Sequence, residues 1–375
     1  MKETCIEKLL ENPCLDVNYD TVVITGICGQ DGSYLAKYLL DKGYDVVGFT
    51  RRSGSSNFWR HKELGIHYHP KLKIEYVDIT EYHNVLDRIK KLKPEYLFNL
   101  AAMSFVQTSF SQPFTTNDIN YVGVLNLLSA IKLYSPLTKF YHASTSEMFG
   151  KVLKVPQNEN TPFNPVSPYG ISKLAAHYAV RIAREDGMFA CSGILMNHES
   201  CLRGSEFITK KIAVSLMGIY SDIRRGFKNF DPLVVGNIYA KRDWGFAGDY
   251  VEGMWLMLQQ KEPDDYVLAT NITYSVKDFI NEAWSHTSHI PLKWMNEGFG
   301  VEEYAVDDKG NTIVKISEEF YRPCEVDLLI GDYSKAKNVL GWEPKVTFKE
   351  LVKQMMDYER AKTFPSPEFS IGDLY

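Results

Sequence analysis

Thr21-Val22-Val23-Ile24-Thr25-Gly26-Ile27-Cys28-Gly29-Gln30-Asp31-Gly32-Ser33-Tyr34-Leu35 reads as a strand, a glycine turn and the start of a helix. The opening run is short and continuous, as in a strand buried on both faces. Beyond the turn, Tyr34, Leu35, Tyr38, Leu39 and Leu40 recur at helical spacing. Gly26, Gly29 and Gly32 make the pattern Gly-x-x-Gly-x-x-Gly, which lets backbone N–H groups approach a pyrophosphate at a helix N-terminus. Ordinary strand-to-helix turns can share it, so the turn takes its meaning from its surroundings.

Those surroundings repeat the unit. Residues 44–50, 73–77, 96–100 and 140–143 read as strands, with helices over 85–92 and 120–134. Such alternation predicts an α/β fold: a Rossmann-type, doubly wound parallel sheet whose ligand crevice lies at the carboxyl ends of its strands. The second strand ends in Thr50-Arg51-Arg52-Ser53, two guanidinium groups and no carboxylate, where a dinucleotide site meets the adenosine ribose. An arginine there suits a 2'-phosphate, favouring NADP over NAD. Arg51, Arg52 and Arg60 read equally as a subunit contact or a solvated face, and both can hold because adjacent side chains on an extended chain point to opposite sides.

At 375 residues the chain exceeds the size at which one core stops growing, so two lobes interleaved in sequence are expected. The nucleotide-binding domain is expected over 21–196, with a return segment near 234–262 whose helix, about 246–258, packs back on it. A smaller C-terminal α/β substrate-binding domain takes 197–233 and 263–360. Residues 1–20 read as a leader and 361–375 as a tail. A net charge of -5 with dispersed basic residues argues against nucleic acid, and no apolar stretch reaches the roughly 18 residues of a membrane span. Cys5, Cys14, Cys28, Cys191, Cys201 and Cys324 are scattered without a Cys-x-x-Cys pair, and the start lacks a secretory pattern, so free thiols and a cytoplasmic protein are expected. His67-x-His69 has no further ligands beside it, so no metal is expected.

The chemistry gathers in two short segments, Ser144-Thr145-Ser146-Glu147 after a strand and Tyr169-Gly170-Ile171-Ser172-Lys173 in a helical pattern. Spacing of four stacks Tyr169 and Lys173 on one helix face. An ammonium close to a phenol lowers its pKa, so Tyr169 can act as a base towards a hydroxyl. Thr145 adds a hydroxyl donor and Glu147 a carboxylate. A strand-end turn with a solvated glutamate is the plainer reading of the first segment, and a packed histidine that of His198.

Gly26-x-x-Gly29-x-x-Gly32, Ser144-Thr145-Ser146-Glu147 and Tyr169-x-x-x-Lys173 resemble the extended short-chain dehydrogenase/reductase family. Within it, Ser167-Pro168-Tyr169-Gly170, Asn197-His198-Glu199-Ser200, Ala240-Lys241-Arg242-Asp243-Trp244-Gly245 and Tyr321-Arg322-Pro323-x-Glu325-Val326-Asp327 resemble its GDP-mannose 4,6-dehydratase branch, from about Thr21 to about Tyr358. The resemblance implies that Tyr169 takes the proton of the sugar 4-hydroxyl. Glu147 then removes the C5 proton and protonates the departing C6 hydroxyl, Thr145 hydrogen-bonds O4, and Lys173 orients Tyr169 and the nicotinamide ribose. It implies NADP contacts at Gly26, Gly29, Gln30, Asp31, Gly32, Arg51, Arg52, Ser53, Asp78, Ile79, Leu100, Ala101, Ala102, Ser104, Tyr169, Lys173, His198 and Arg203. A GDP sugar, GDP-mannose or a relative, would meet Ser104, Asn197, Lys211, Lys241, Arg242, Arg322 and Glu325. A homo-oligomer, tetramer or dimer, is implied with the segment Arg51 to Arg60 shared between subunits.

The chain departs from the branch at Met103, Phe105, Thr115 and Lys210, which leaves GDP-manno-heptose open as the sugar. A sugar-nucleotide 4-epimerase or reductase would not need a C5 base at Glu147. A catalytically silent NADP-sensing scaffold would be expected to lose Tyr169 or Lys173.

Overall fold

The computed structural model describes residues 17–321 and 328–365. Seven strands form one parallel sheet: β1 (Asn18–Thr25), β2 (Asp45–Thr50), β3 (Leu72–Tyr76), β4 (Pro94–Asn99), β5 (Lys139–Thr145), β6 (Ala190–Leu195) and, far along the chain, β11 (Asp265–Leu268). Their order is β11-β6-β5-β4-β1-β2-β3. The chain reverses direction across the sheet between β1 and β4, where a crevice opens at the strand ends. Strand β1 begins at Asn18, whose N–H donates to Lys93 O at 2.9 Å, so the expected leader gives up its last residues to the sheet.

Alternate residues serve opposite faces. Val22 and Ile24 pack with Leu35 and Leu39 of α1 (Gln30–Asp41). Val23 packs on the other side with Val124 and Leu127 from the helix over Gly123–Tyr134. Helices on both faces are what near-continuous apolar strands require.

A second, mainly antiparallel sheet carries the other lobe. It joins β8 (Leu233–Val235) to three late strands in the order β13 (Lys293–Met295), β14 (Tyr304–Val306), β15 (Thr312–Ile316), β8. Ile212 and Leu216 of one helix (Ile208–Arg224), Phe279 and Ile280 of a second (Val276–Ser288), and Leu351 and Met355 of a third (Phe348–Thr363) bury themselves against it. Short strands cross between the lobes: β7 (Asn197–Glu199) pairs with β10 (Trp244–Phe246), and β9 (Lys241–Arg242) with β12 (Tyr274–Ser275).

The helix at Ala247–Leu258 lies against α1. The return to the first lobe does not stop at 262. The fully buried β11 pairs with β6, and Ala336, Leu340 and Trp342 join the same core. Four buried residues in a row need cover on both faces, and the edge of the parallel sheet supplies it.

Candidate active site

The carboxyl ends of β1, β4 and β5 open into a cavity of about 1040 Å³ that runs from the glycine turn to the second lobe. The turn is tight. Gly26 has φ +70°, and a Cβ there would meet Leu100 C and Ala101 N at 2.8 Å; a Cβ on Gly32 would stand 2.4 Å from Gly26 O. Side chains at these positions would fill the cradle that a dinucleotide's diphosphate requires. Thr25 Oγ1 donates to Asn99 Oδ1 (2.7 Å) and accepts from the N–H of Leu100 (3.2 Å) and Ala101 (3.1 Å), fixing the loop that follows β4.

Glu147 is carried on the turn after β5, where Thr145 Oγ1 accepts its N–H at 3.2 Å. Tyr169 and Lys173 belong to the helix Pro168–Glu185, which starts on Pro168 with Ser167 as its cap, the Ser167 hydroxyl accepting Gly170 N–H at 3.0 Å. Gly170 is needed for closeness: a Cβ there would be 2.7 Å from Glu147 O. One small residue thereby brings the glutamate's turn against the tyrosine's helix. Thr145, Glu147, Tyr169 and Lys173 all line the cavity.

Burial raises the Tyr169 phenol, the Thr145 hydrogen bond lowers it and the Glu147 carboxylate raises it again, leaving it at about 12. Burial lowers Lys173 to about 8. Its Nζ donates to Ala143 O at 2.7 Å, while the Thr145 hydrogen bond and, less strongly, the Arg203 charge pull the phenol down. The ammonium is thereby anchored to the end of β5, a buried Nζ having taken a backbone acceptor.

His198 lies in β7. Its Nε2 is 2.9 Å from Asp31 Oδ2 and its Nδ1 2.8 Å from Met196 O, so acceptors on both nitrogens favour the imidazolium. Burial alone would lower His198, and the Asp31 carboxylate reverses the shift. Burial likewise raises Asp31, but the charge and hydrogen bond of His198, with Arg203, bring it to about 2. Gln30 ties the turn to the same strand, donating to His198 O at 3.1 Å and accepting from Ser200 Oγ at 2.7 Å. The Arg203 guanidinium lies 3.5 Å from the centroid of the Phe207 ring.

Of the residues expected from the sequence, Gly29, Asp31, Arg51, Asp78, Ile79, Leu100, Ala101, Ala102, Ser104, Asn197, His198, Arg203, Lys211 and Arg242 also line the cavity. Arg52, Ser53 and Lys241 are exposed and do not line it. Arg322 and Glu325 fall outside the described residues. Arg60 is neither a solvated face nor a free contact: it is buried, Nε donating to Leu202 O at 2.7 Å and Nη1 to Cys28 O at 3.0 Å. Among the departures from the branch, Met103 and Phe105 line the cavity; Lys210 is paired with Glu359 inside the protein and Thr115 is exposed. Among the described residues no group of three His, Cys, Asp or Glu is placed to hold a metal, and no helix is long and apolar enough to cross a membrane.

Asn120 went unnoticed in the sequence. It accepts Met103 N–H at 2.8 Å and donates to Met103 O (3.2 Å) and Ser172 Oγ (3.1 Å), linking the loop after β4 to the helix of Tyr169. An asparagine followed by Val124, Leu127 and Leu128 on an apolar helical face is the signal that could have revealed it.

Fold and site together define an extended short-chain dehydrogenase/reductase. The solved UDP-glucose 4-epimerase of Thermotoga maritima superposes with a TM-score of 0.73 at 22% identity, covering 91% of this chain and 99% of that one. The dTDP-glucose 4,6-dehydratase of Bacillus anthracis gives 0.72 at 20% identity, covering 91% and 96%. The sequence narrows the class: the family model for GDP-mannose 4,6 dehydratase matches residues 23–355, and the chain belongs to that family. Curated relatives named GDP-mannose 4,6 dehydratase include those of Drosophila melanogaster, 45% identical over 89% of this chain and 84% of that protein, and Homo sapiens, 44% over 92% and 94%. The similarly named Vibrio cholerae protein is 42% identical over 89% and 92%.

Proposed function

We propose that this chain converts GDP-mannose to GDP-4-keto-6-deoxymannose and water, with NADP as its resident cofactor. The observation that carries the reading is the meeting of Thr145, Glu147, Tyr169 and Lys173 in the cavity that begins at the glycine turn. The family and the glycine cradle support a nicotinamide cofactor. Gly26, Gly29 and Gly32 would take its diphosphate, Lys173 its nicotinamide ribose and Arg51 a 2'-phosphate.

When bound, the oxidised nicotinamide supplies a hydride acceptor that later returns the same hydride, and a positive charge. A phenol near 12 is a proton donor at neutral pH, and a cation beside it lowers it by the same electrostatics that Glu147 opposes. Tyr169 then accepts the proton of O4, with Thr145 hydrogen-bonded to that oxygen. Oxidation at C4 acidifies the C5 proton. Glu147 takes that proton and delivers it to the C6 hydroxyl, which departs as water; C6 would then take back the hydride while C5 regains a proton, balanced by the one that Tyr169 took from O4. No net hydride is lost, so the cofactor is needed in one equivalent only.

Arg242 and Lys211 are the cavity-lining cations we assign to the diphosphate of the sugar nucleotide. We also propose a homo-oligomer. Phe114 is 84% exposed and Ile182 66%, with Ile171 and Tyr178 exposed on the same helix as Ile182, an apolar surface that a second copy would cover. Sedimentation velocity reads the assembly directly.

The deciding experiment incubates the purified protein with GDP-mannose and catalytic NADP+. Mass spectrometry is expected to find a product lighter by one water and no accumulation of NADPH. Unchanged GDP-mannose under these conditions refutes the reading.

A further inference from the structure

Behind the cavity, two adjacent carbonyls of the segment that joins the lobes are each gripped by a buried cation. Cys201 and Leu202 follow β7, and their side chains lie in the core of the first lobe. Lys210, on the second lobe's helix Ile208–Arg224, donates from Nζ to Cys201 O at 2.6 Å. Arg60, on a short first-lobe helix (Trp59–Glu63), donates from Nε to Leu202 O at 2.7 Å and from Nη1 to Cys28 O at 3.0 Å. Cys28 lies between Gly26 and Gly29, in the turn with the shape of a diphosphate cradle. The neighbouring His61 holds that turn a second time, Nε2 donating to Ile27 O at 3.0 Å.

Arg60 is 9% exposed, and its guanidinium carbon stands 4.3 Å from the centroid of the Trp59 ring. Its hydrogen bonds go to backbone carbonyls, so no carboxylate in contact offsets the burial of the charge. An apolar side chain of the same length would be the less costly occupant. What it could not do is hold two carbonyls from distant parts of the chain at one separation, which the rigid fork of a guanidinium does. Arg203 follows Leu202 directly and His198 precedes it on β7, and both line the cavity.

We infer that Arg60 is a positioning residue for the reaction: it ties the glycine turn to the segment bearing His198 and Arg203, so that the seat of the cofactor and the entry to the second lobe keep one spacing. The inference rests on the function proposed above, because spacing matters most where a hydride must cross between cofactor and sugar twice. Reacting atoms have to meet at roughly 3–3.5 Å, and a misplacement of about 1 Å costs on the order of 10²-fold in rate. Arg60 itself touches neither reactant; it acts through the two backbone segments it joins. Other ties run between the same parts, from Gln30 to His198 O and Ser200, and from Asp31 to His198. Loss of Arg60 therefore loosens the spacing without parting the lobes.

Three substitutions separate the two grips. Arg60→Lys puts an ammonium where the guanidinium carbon stands, within reach of both carbonyls. Arg60→Gln keeps an N–H donor at the place of Nε, so Leu202 O stays satisfied while Cys28 O is released. Arg60→Met keeps the length and has no donor. In the full-length protein with NADP+, kcat for GDP-mannose is expected to fall about 10- to 100-fold in Arg60→Gln and Arg60→Met, and to stay within about threefold of wild type in Arg60→Lys. Apparent KM and NADP+ affinity should move by no more than about threefold in any of them, since the cradle and the cavity-lining cations remain. Amide hydrogen exchange reads the same tie without substrate. Saturating NADP+ should slow exchange over residues 199–204 at least about fivefold more in the wild type than in Arg60→Gln. If Arg60→Met does not fold, Arg60→Gln, with one carbonyl still paired, carries the test. Wild-type kcat in Arg60→Gln overturns the positioning role, and so does an Arg60→Lys no faster than Arg60→Gln, which would leave Arg60 only its packing on Trp59. A wild type that leaves GDP-mannose unchanged refutes the proposed function instead; the tie between the segments is then decided by exchange alone, and equal protection in wild type and Arg60→Gln removes it.

Discussion

The two ends of the cavity are held by different means. At the cofactor end the side chains stand on the carboxyl ends of parallel strands, whose ladder and two apolar faces fix them together. Thr25, Asn99 and Thr145 are each nine-tenths or more buried there. At the substrate end the residues come from two- and three-residue strands and turns, pinned by buried charges. Asp243 accepts from Thr270 N–H (2.8 Å), Thr270 Oγ1 (2.7 Å), Asn271 N–H (3.0 Å) and Gly331 N–H (3.1 Å). Lys277 reaches Glu303 at 2.8 Å, and Lys210 pairs with Glu359. A periodic scaffold tolerates the loss of one functional group. An end knotted by single carboxylates loses its shape with them.

The largest effect expected from this contrast is chemical. Glu147→Gln should lower turnover by about 10²–10⁴-fold, the usual contribution of a positioned acid or base, while NADP+ affinity and thermal stability stay near wild type. The measurement is product mass against time, with cofactor titrated separately. Unimpaired water loss would move the C5 base elsewhere, and a collapse in stability would show that the cofactor end is not the rigid one.

Asp243→Ala probes the other end. It takes the acceptor from three backbone N–H groups at a fully buried position and leaves the Thr270 hydroxyl only Ile272 O at 3.2 Å, and each unsatisfied buried group costs about 1–3 kcal/mol before relaxation and water entry. A loss of about 3 kcal/mol in urea unfolding is expected, with the apparent KM for the GDP sugar rising more than kcat falls. Equal stability would mean the turn is held by its backbone alone.

The same contrast sets what the sequence could reveal. The parallel sheet was legible because burial on both faces imposes an apolar run, and the glycine turn because Gly26 and Gly32 have no room for a side chain. Strands β8, β9 and β12 were not, since two or three residues carry no period. The role of Asp243 was equally hidden: its partners lie at 270, 271 and 331, separations that no local pattern records. The tie of Lys173 to Ala143 O was hidden as well, because the strand carbonyl that accepts its hydrogen bond is chosen by packing. Arg60, grouped with Arg51 and Arg52 by charge, turned inward because the carbonyls of Cys28 and Leu202 needed a donor.

Where the two ends meet, Asp31 and His198 make the contrast depend on pH. His198 is raised above its ordinary 6.5, so its stabilisation is complete below that value and is lost as pH climbs through the raised one. Asp31 is lowered from 3.8 to about 2, so its contribution is complete above 3.8 and is lost on acidification. Between these limits both are charged. His198→Gln should therefore cost about 2 kcal/mol, the worth of a hydrogen bond to a charged group, at a pH just below 6.5, and the gap to wild type should narrow as the pH is raised further. Urea unfolding at several pH values reads the gap, and a constant difference would show that His198 acts instead through its stacking on Tyr250, whose ring centroid lies 4.6 Å away.

The smallest effect concerns two adjacent arginines. Arg51 lines the cavity and Arg52 does not. On an extended chain they cannot both face the cofactor. Arg51→Ala should then weaken NADP+ about tenfold, the loss of one charge-assisted hydrogen bond, and leave NAD+ unchanged. Arg52→Ala should alter neither by more than about twofold, because an exposed charge in water contributes little. Fluorescence titration with the reduced cofactors measures all four combinations. Equal losses from the two substitutions would mean that the segment after β2 refolds around the 2'-phosphate, and that the cofactor end, rigid along its strands, has one pliable edge.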